Sequence, residues 1–285
     1  MRIGLTSPVV TLLPGVFSEW EATAGIAELG TIAETADRLG FDHLTCSEHV
    51  AVPVEIAETR GGTYWDPLAT LGYLAARTSR IRLATQVLVL GYHHPLEIAK
   101  RYGTLDTVSG GRLVLGLGVG SLEEEFDLLG ATFGGRGEIA DESLVALRAA
   151  LGVRIPEHHG THFDFSGMVV SPNAVQDRVP LWIGGRTPRS LRRAIELGTG
   201  WVPFGLGADA LAEMLAKVSL PDDFEVVLGP GRAVDPLGDR ERCERALVRL
   251  REAGATIVNV NVAATSADHY CEQLEALAAL SSSLG

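Results

Sequence analysis

The chain places a glutamate and a histidine side by side at the end of a short apolar run, in the stretch "CSEHV" that contains Glu48 and His49. Histidine changes charge near neutral pH, and a neighbouring carboxylate can orient its ring or raise its pKa, so the two could work as an acid/base pair. Adjacent residues of a regular strand point to opposite faces, which would turn only one of them toward a pocket. We predict His49 as a proton donor or acceptor, with Glu48 orienting it.

A second candidate stretch ends another apolar run, where "LATQVL" contains Thr85, Gln86 and Val87. If this run is a strand of a barrel, its last residues reach the barrel mouth, where the backbone would pass close to a ligand. The alternative is a buried apolar strand that tolerates one glutamine. The residues themselves leave both interpretations open.

A third candidate is the turn "IGGRTP", in which Gly184 and Gly185 precede a helix start at Thr187-Pro188. Free amides at a helix N-terminus attract anions, and Arg186 would add positive charge, so the turn could bind a ligand phosphate. A plain strand-to-helix turn explains the two glycines equally well.

The stretch "RLVLGLGVGS" ends with glycines 116, 118 and 120 and could be mistaken for a dinucleotide-binding turn. The Rossmann fingerprint GxGxxG requires its third glycine at the sixth position, which is Ser121 here, and the fingerprint follows the first strand of its domain. The dinucleotide interpretation therefore fails. The acidic run Glu123–Glu125 that follows is predicted as the first turn of a helix, where carboxylates stabilise the helix dipole.

Three histidines in "EHHGTHF", His158, His159 and His162, have a spacing that could hold zinc. A zinc site needs four ligands, and the stretch offers no nearby cysteine and no identifiable fourth ligand. We predict exposed histidines and no metal.

Composition excludes several classes of function. The formal charge of −12 disfavours nucleic acid and anionic membranes, because both partners require a basic face. No run approaches the roughly 18 apolar residues of a membrane span, and the N-terminus lacks the apolar core of a signal peptide. The three cysteines are widely spaced, which argues against a disulfide framework and for a reducing compartment. We expect a cytoplasmic protein that acts on a small molecule.

The elements that must position these residues alternate along the chain. Short β-branched apolar runs are separated by segments of helical period, the pattern of a parallel α/β sheet with crossover helices. Eight such units would close into a (β/α)8 TIM barrel, whereas an open doubly wound sheet of this length usually has a linker, and none is visible. The predicted strands are Arg2–Ser7, His43–Glu48, Arg80–Val89, Arg112–Gly118, Val179–Gly184, Gly200–Phe204, Glu225–Leu228 and Thr256–Val262.

Local signals mark several helices. Apolar residues recur at helical spacing from Ile26 to Leu39 and stop at Gly40, and Asp66-Pro67, His94-Pro95 and Thr187-Pro188 pair an N-cap with a proline at the first helical position. Residues 151–178 are too polar and broken for a core helix and are predicted as a hairpin insertion before strand five. We predict one domain over residues 1–285.

Residues 66–130 resemble the bacterial luciferase-like monooxygenase superfamily. The resemblance rests on Pro95 with Lys100, "TLD" at Thr104–Asp106, "SGGR" at Ser109–Arg112, and "GLGVG" leading to Glu125-Phe126. Further along, "GTHFDF", "PLWIGG" and "LGTGWVPF" are similar to the branch that depends on the deazaflavin coenzyme F420. The motifs occur in the family's order over nearly the whole chain.

The resemblance implies a flavin or deazaflavin at the C-terminal mouth of the barrel, with Glu48 and His49 beside the reactive ring, where Glu48 would orient His49 or polarise that ring. It implies a non-proline cis peptide at Gln86-Val87 behind the ring. Bare backbone would approach the cofactor at Gly118, Val119 and Gly120, and the phosphate would lie against Gly184, Gly185, Arg186 and Thr187. Related sugar-phosphate dehydrogenases carry an acidic residue where this chain has Ser121, which puts their substrate and proton donor in doubt.

The expected function is therefore hydride transfer between coenzyme F420 and a small organic substrate. Two alternatives remain at this point. One is an FMN-dependent monooxygenase that uses oxygen, and the other is a barrel that binds a cofactor without catalysis. The resemblance also leads us to expect a homodimer.

Overall fold

Eight parallel strands close into a barrel in the computed structural model, which describes residues 1–284. The ring closes because β1 pairs with both β2 and β11, while β3 pairs with β5 on the opposite side. The strands are β1 (Arg2–Thr6), β2 (His43–Cys46), β3 (Arg82–Thr85), β4 (Leu88–Val89), β5 (Leu113–Gly118), β6 (His158–His159), β7 (Asp164–Phe165), β8 (Leu181–Gly184), β9 (Gly200–Val202), β10 (Glu225–Leu228) and β11 (Ile257–Val260).

Helices surround the barrel, so the predicted (β/α)8 architecture is confirmed. Two short 3₁₀ turns, Glu19–Ala22 and Leu90–Tyr92, lie in loops. The helices are α1 (Ile26–Leu39), α2 (Val54–Arg60), α3 (Pro67–Arg77), α4 (Pro95–Ser109), α5 (Glu123–Leu128), α6 (Arg136–Ala150), α7 (Pro188–Leu197), α8 (Ala208–Leu215), α9 (Arg240–Glu252) and α10 (Ala267–Leu284).

The third predicted strand, Arg80–Val89, is interrupted. It divides into β3 and β4 at the Gln86–Val87 peptide, which is cis as the resemblance implies. Both parts pair with β5, so together they occupy one position of the barrel. The interruption lies at the C-terminal end of the barrel, where ligands bind in this architecture.

The predicted helix ends are confirmed by their capping geometry. Gly40 ends α1 in the left-handed conformation with φ of 81°. Asp66 accepts a hydrogen bond from the Ala69 amide at 2.8 Å at the start of α3. The His94 and Thr187 side chains likewise accept amide hydrogen bonds at the starts of α4 and α7.

The predicted insertion contains a small hairpin, in which β6 pairs antiparallel with β7. The segment that leads from this hairpin back to the barrel is held by Asp106, a fully buried residue of the "TLD" motif. The Asp106 carboxylate accepts hydrogen bonds from the amides of Val175 and Gln176 at 2.8 and 3.0 Å. This family motif therefore serves the architecture and not the chemistry.

Apolar side chains fill two layers. One lies between the strands and the surrounding helices, and the other lies inside the barrel. The inner layer consists of Ala84, Val114, Trp182, Val202, Val227 and Ile257, with Val87 packed against it at the mouth. Among residues 1–284, no helix combines the length and hydropathy that crossing a bilayer requires.

Candidate active site

A cavity of about 730 Å³ opens at the C-terminal ends of the barrel strands. Its walls come from the segments that follow β2, β3, β5 and β8, so residues distant in the sequence meet there. The predicted residues that line it are Glu48, His49, Gln86, Val87, Gly118, Val119, Gly120, Ser121, Gly184, Gly185, Arg186 and Thr187. Their contact with a cofactor stays a prediction.

Thr85 does not line the cavity. The residue is fully buried. Its hydroxyl donates a hydrogen bond to the Gly116 carbonyl at 2.7 Å. Thr85 thus ties β3 to β5 behind the cavity wall, where it cannot touch a ligand in the cavity.

His49 is oriented by a carboxylate that is distant in sequence. Its Nδ1 lies 2.7 Å from Oε2 of Glu125, and its ring meets the Tyr64 ring edge-on with 4.5 Å between centroids. No group of residues 1–284 forms a hydrogen bond with its Nε2, and the side chain remains 21% exposed toward the cavity. His49 is held by one ring nitrogen and presents the other.

Glu125 is itself buried and fully engaged. Its Oε2 also accepts the Tyr92 hydroxyl at 2.7 Å, and its Oε1 accepts the backbone amides of Val50 and Ala51. Burial alone would raise the pKa of Glu125, but the hydrogen bonds from His49, Tyr92 and Val50 together hold this pKa below its ordinary value. Glu125 is therefore a carboxylate at neutral pH, which makes His49 Nδ1 the hydrogen-bond donor.

Glu48 does not orient His49, contrary to the sequence-based prediction. Its Oε1 lies 2.7 Å from His93 Nε2 and its Oε2 accepts the Val89 amide at 2.7 Å. The two neighbours, Glu48 and His49, diverge because consecutive side chains at a strand end point in different directions. Glu48 lines the cavity but fixes the turn between β4 and α4.

Sequence reasoning missed Glu125 and Tyr92, and it assigned the acidic run only to the helix dipole. The run does open α5, and Glu123 and Glu124 are exposed, but Glu125 is 1% exposed. A signal was present in the sequence, because Glu125-Phe126 is one of the motifs on which the family resemblance rests.

The cavity floor is built around Val87. A Cβ at Gly118 would lie 2.6 Å from Val87 Cγ2, and one at Gly184 would lie 3.0 Å from Val87 Cγ1. At Gly120, where φ is 79°, a Cβ would meet the Phe126 ring at 2.5 Å. The glycines thus make room for protein side chains, whereas we expected room for a flat ring. They leave a smooth apolar floor.

Part of the cavity lining is basic, although it also includes the carboxylate of Glu138. Arg136 lies over the Phe133 ring at 3.7 Å, and Arg186 lies over the Phe204 ring at 5.7 Å. Neither arginine pairs with a carboxylate within residues 1–284, whereas the neighbouring Arg193 is paired with Asp141. Two guanidinium groups without a carboxylate partner therefore lie at this part of the cavity.

The amides at the start of α7 contribute less than the sequence suggests. The Thr187 amide donates to the Ser190 hydroxyl and the Ser190 amide donates to the Thr187 hydroxyl, both at 3.2 Å. Because the cap already satisfies these two donors, the attraction for an anion rests mainly on the arginines.

The hairpin histidines lie away from the cavity lining. His159 contacts Glu157 and Asp164 on the hairpin surface. Across residues 1–284, the histidine, cysteine and acidic side chains form no group able to hold a metal ion.

Known proteins share this architecture. A curated protein of Mycobacterium tuberculosis, described only as uncharacterized, is 28% identical over 214 residues, which cover 71% of this chain and 74% of that protein. The monooxygenase RslO1 from Streptomyces bottropensis superposes with a TM-score of 0.74 at 23% identity, covering 98% of each chain.

Two further solved structures hold different cofactors in the same fold. An F420-dependent secondary alcohol dehydrogenase, in complex with an F420–acetone adduct, has a TM-score of 0.73 at 15% identity and covers 97% of this chain and 98% of that one. The oxygenating constituent of 3,6-diketocamphane monooxygenase of Pseudomonas putida, in complex with FMN, has a TM-score of 0.68 at 18% identity and covers 98% and 97%.

The family model described as luciferase-like monooxygenase matches residues 8–276. Since this match covers most of the chain and every residue of the His49 site, the chain belongs to the luciferase-like monooxygenase family.

Proposed function

We propose that this protein is an F420-dependent oxidoreductase that transfers a hydride between the deazaflavin and a small organic substrate. The observation that carries the proposal is the His49–Glu125 pair, which presents one free imidazole nitrogen to a cavity that also has an apolar floor and several arginines in its lining. This arrangement suits proton exchange with a substrate beside a flat ring whose anionic tail lies elsewhere.

The residues present fit such a cofactor. The floor formed by Val87, Gly118 and Gly184 would support a flat ring, and Arg136 with Arg186 would hold a phosphate-bearing tail. When bound, the deazaflavin supplies the hydride donor or acceptor, and the protein supplies orientation and electrostatics. The motifs "GTHFDF" and "PLWIGG" support F420 over FMN.

His49 moves the proton in this proposal. Because the ionised Glu125 accepts a hydrogen bond from Nδ1, Nε2 is the nitrogen that exchanges a proton with a substrate oxygen. Glu125 stabilises the imidazolium form when Nε2 is protonated, and it prevents the ring from rotating. Tyr92 and the Val50 amide hold Glu125 in place for this task.

The substrate end favours uncharged molecules. The Tyr64 ring contacts His49, Tyr92 shares Glu125 with it, and the apolar side chains of Leu13 and Val89 also line the cavity. We therefore propose a small alcohol or carbonyl compound as substrate. The predictions of a homodimer and of a cytoplasmic location stay predictions.

A second candidate, an FMN-dependent monooxygenase, is favoured by the FMN-bound structure of the same fold. Single-turnover oxidation distinguishes the two. Protein loaded with reduced F420 is mixed with a panel of carbonyl compounds without oxygen, and we expect cofactor oxidation that depends on one of them. Oxidation that requires oxygen with reduced FMN would favour the monooxygenase, and no oxidation under either condition would indicate a barrel that only binds its cofactor.

A further inference from the structure

A chain of hydrogen bonds crosses the barrel interior and ends at the cavity floor. It begins at Asp42, whose Oδ2 lies 2.8 Å from Nδ1 of His43. His43 Nε2 lies 3.2 Å from Oδ1 of Asn259, and Asn259 Nδ2 donates to Gln86 Oε1 at 2.9 Å. Asn259 Nδ2 also donates to the Thr6 hydroxyl at 3.0 Å. Gln86 lines the cavity, so the chain reaches the candidate active site from below.

The barrel is shaped to hold the His43 ring. His43 is fully buried, and its ring packs edge-on against Trp182 with 4.9 Å between centroids. A Cβ at Gly4 would lie 2.0 Å from the imidazole Cε1, so the glycine in β1 leaves the space that the ring occupies. A buried imidazole with this much dedicated space and a hydrogen-bonding partner at each ring nitrogen belongs to a polar network of the core.

The direction of each hydrogen bond in this chain fixes the next. Asp42 accepts hydrogen bonds from Arg2 and Arg82, and burial, which would raise its pKa, is outweighed by His43 and Arg82, so its pKa is well below the ordinary range. A carboxylate only accepts, so His43 Nδ1 carries a proton. The Asn259 carbonyl oxygen that faces Nε2 requires a second proton on that nitrogen. With the Asn259 amide placed this way the arrangement matches the imidazolium, and with the amide turned over it matches the neutral ring.

Loss of the Nε2 proton would leave two acceptors facing each other, Nε2 of His43 and Oδ1 of Asn259. The amide of Asn259 would then turn over to donate to Nε2, and its oxygen would face Gln86. Gln86 would have to donate in return, so its own amide turns over and its carbonyl oxygen faces the cavity instead of its NH₂ group.

The proton on Nε2 of His43 is weakly held. Burial lowers the pKa of His43, and the hydrogen bond with Asp42 opposes that effect. The charged groups around the ring are Asp42 before β2, Arg2 in β1, Arg82 in β3 and Glu225 in β10. Glu225 pairs with Arg2 and Arg82 and accepts the Trp182 indole N–H at 2.6 Å. The two arginines balance the two carboxylates, which leaves the imidazole as the group that changes charge.

We propose that His43 and Asn259 are positioning residues that decide whether Gln86 presents an N–H donor or a carbonyl oxygen to the cavity floor. The relay itself depends only on the protein. Its use rests on the proposed function: a flavin-type ring that gains negative charge on reduction would be held better by the donor than by the oxygen. By linkage, binding of the reduced ring would then favour protonated His43.

Nuclear magnetic resonance of the ¹⁵N-labelled cofactor-free protein tests the relay. The imidazole nitrogens of His43, assigned from their loss in His43→Gln, and the side-chain NH₂ of Gln86 are followed from pH 5 to pH 9. We expect His43 to change from imidazolium to the Nδ1–H neutral form and the Gln86 signals to change with the same midpoint. A His43 that keeps one protonation state, or Gln86 signals that do not follow it, would overturn the proposal.

Two variants separate the relay from general perturbation. Asn259→Asp places a group that only accepts beside Nε2, so the His43 midpoint should rise by about one pH unit or more and the Gln86 signals should stop following it. Thr6→Val removes only the side branch, and coupled titration should persist. An unchanged midpoint in Asn259→Asp, or uncoupling in Thr6→Val, would contradict the relay.

A separate experiment tests the proposed contact between Gln86 and the cofactor. Adding reduced F420 to the wild-type protein should raise the His43 midpoint. If the coupled titration is present in the cofactor-free protein but F420 leaves the midpoint unchanged, the relay holds and its proposed contact with the ring is wrong.

Discussion

The Nδ1 of His49 lies 2.7 Å from Oε2 of Glu125, although the two residues are 76 positions apart. One follows β2 and the other lies in the helix after β5, and the barrel brings both to its mouth. A histidine with one ring nitrogen fixed by a carboxylate and the other free is suited to transfer a proton.

Replacing His49 tests its role as proton carrier. In His49→Ala, turnover should fall about 100-fold or more. The dissociation constant of the cofactor should stay within about tenfold, since the proposed contacts of the cofactor ring are with the cavity floor around Val87. Single-turnover kinetics and a cofactor titration measure the two effects. His159→Ala, which removes an exposed hairpin histidine, is the control. Turnover equal to that of the wild type would remove His49 from the mechanism.

Replacing Glu125 tests the orienting carboxylate. Glu125→Gln keeps the shape but removes the carboxylate that accepts the His49 Nδ1 hydrogen bond, so turnover should fall about 10- to 100-fold, and its pH profile should differ from that of the wild type. The profile is compared with that of Glu124→Gln, an exposed neighbour that should behave like the wild type. Identical pH profiles for both variants would show that Glu125 does not act through His49.

The cavity floor can be tested by steric complementation. In Gly118→Ala the new Cβ would lie 2.6 Å from Cγ2 of Val87, whose side chain packs against the apolar layer inside the barrel. We expect a loss of about 1–3 kcal/mol in the free energy of unfolding. Adding Val87→Ala should recover at least half of it. Gly134→Ala, where a Cβ meets open space, is the control, and a Gly118→Ala protein as stable as that control would contradict the account.

The Glu48–His93 pair predicts a pH dependence of stability. Burial lowers the pKa of His93, but the hydrogen bond with Glu48 outweighs it, and the net pKa is above the ordinary value of 6.5. A raised pKa in the folded state means that the stabilisation is complete below about pH 6.5, the unfolded value, and is lost as pH rises through the folded value.

Urea unfolding at pH 6 to 9 measures this effect. His93→Gln should be less stable than the wild type by about 1–3 kcal/mol at pH 6, and the difference should shrink as pH rises. His162→Gln, in an exposed position, should show no such trend. A difference that grows with pH would have the wrong sign for this pair.

Local patterns predicted the elements well. The alternation of apolar runs gave the eight strand positions of the barrel, and the prolines after Asp66, His94 and Thr187 gave three helix starts, because capping depends on neighbouring residues. The cis peptide at Gln86–Val87 followed from the resemblance, since no local signal marks it.

The site was predicted less completely, because its geometry depends on contacts between distant segments. Glu48 was paired with His49 because the two are adjacent, yet the strand end turns Glu48 toward His93. Glu125 was missed because an acidic first turn already has a local explanation. The reason for Gly118 became visible only when Val87 was placed against it.

The most direct test of the central claim is an equilibrium titration of the cofactor-free protein with oxidised F420 and, separately, with oxidised FMN. We predict that F420 binds at least about tenfold more tightly than FMN, a difference of about 1.4 kcal/mol. Tight binding of FMN with no binding of F420 would contradict the account.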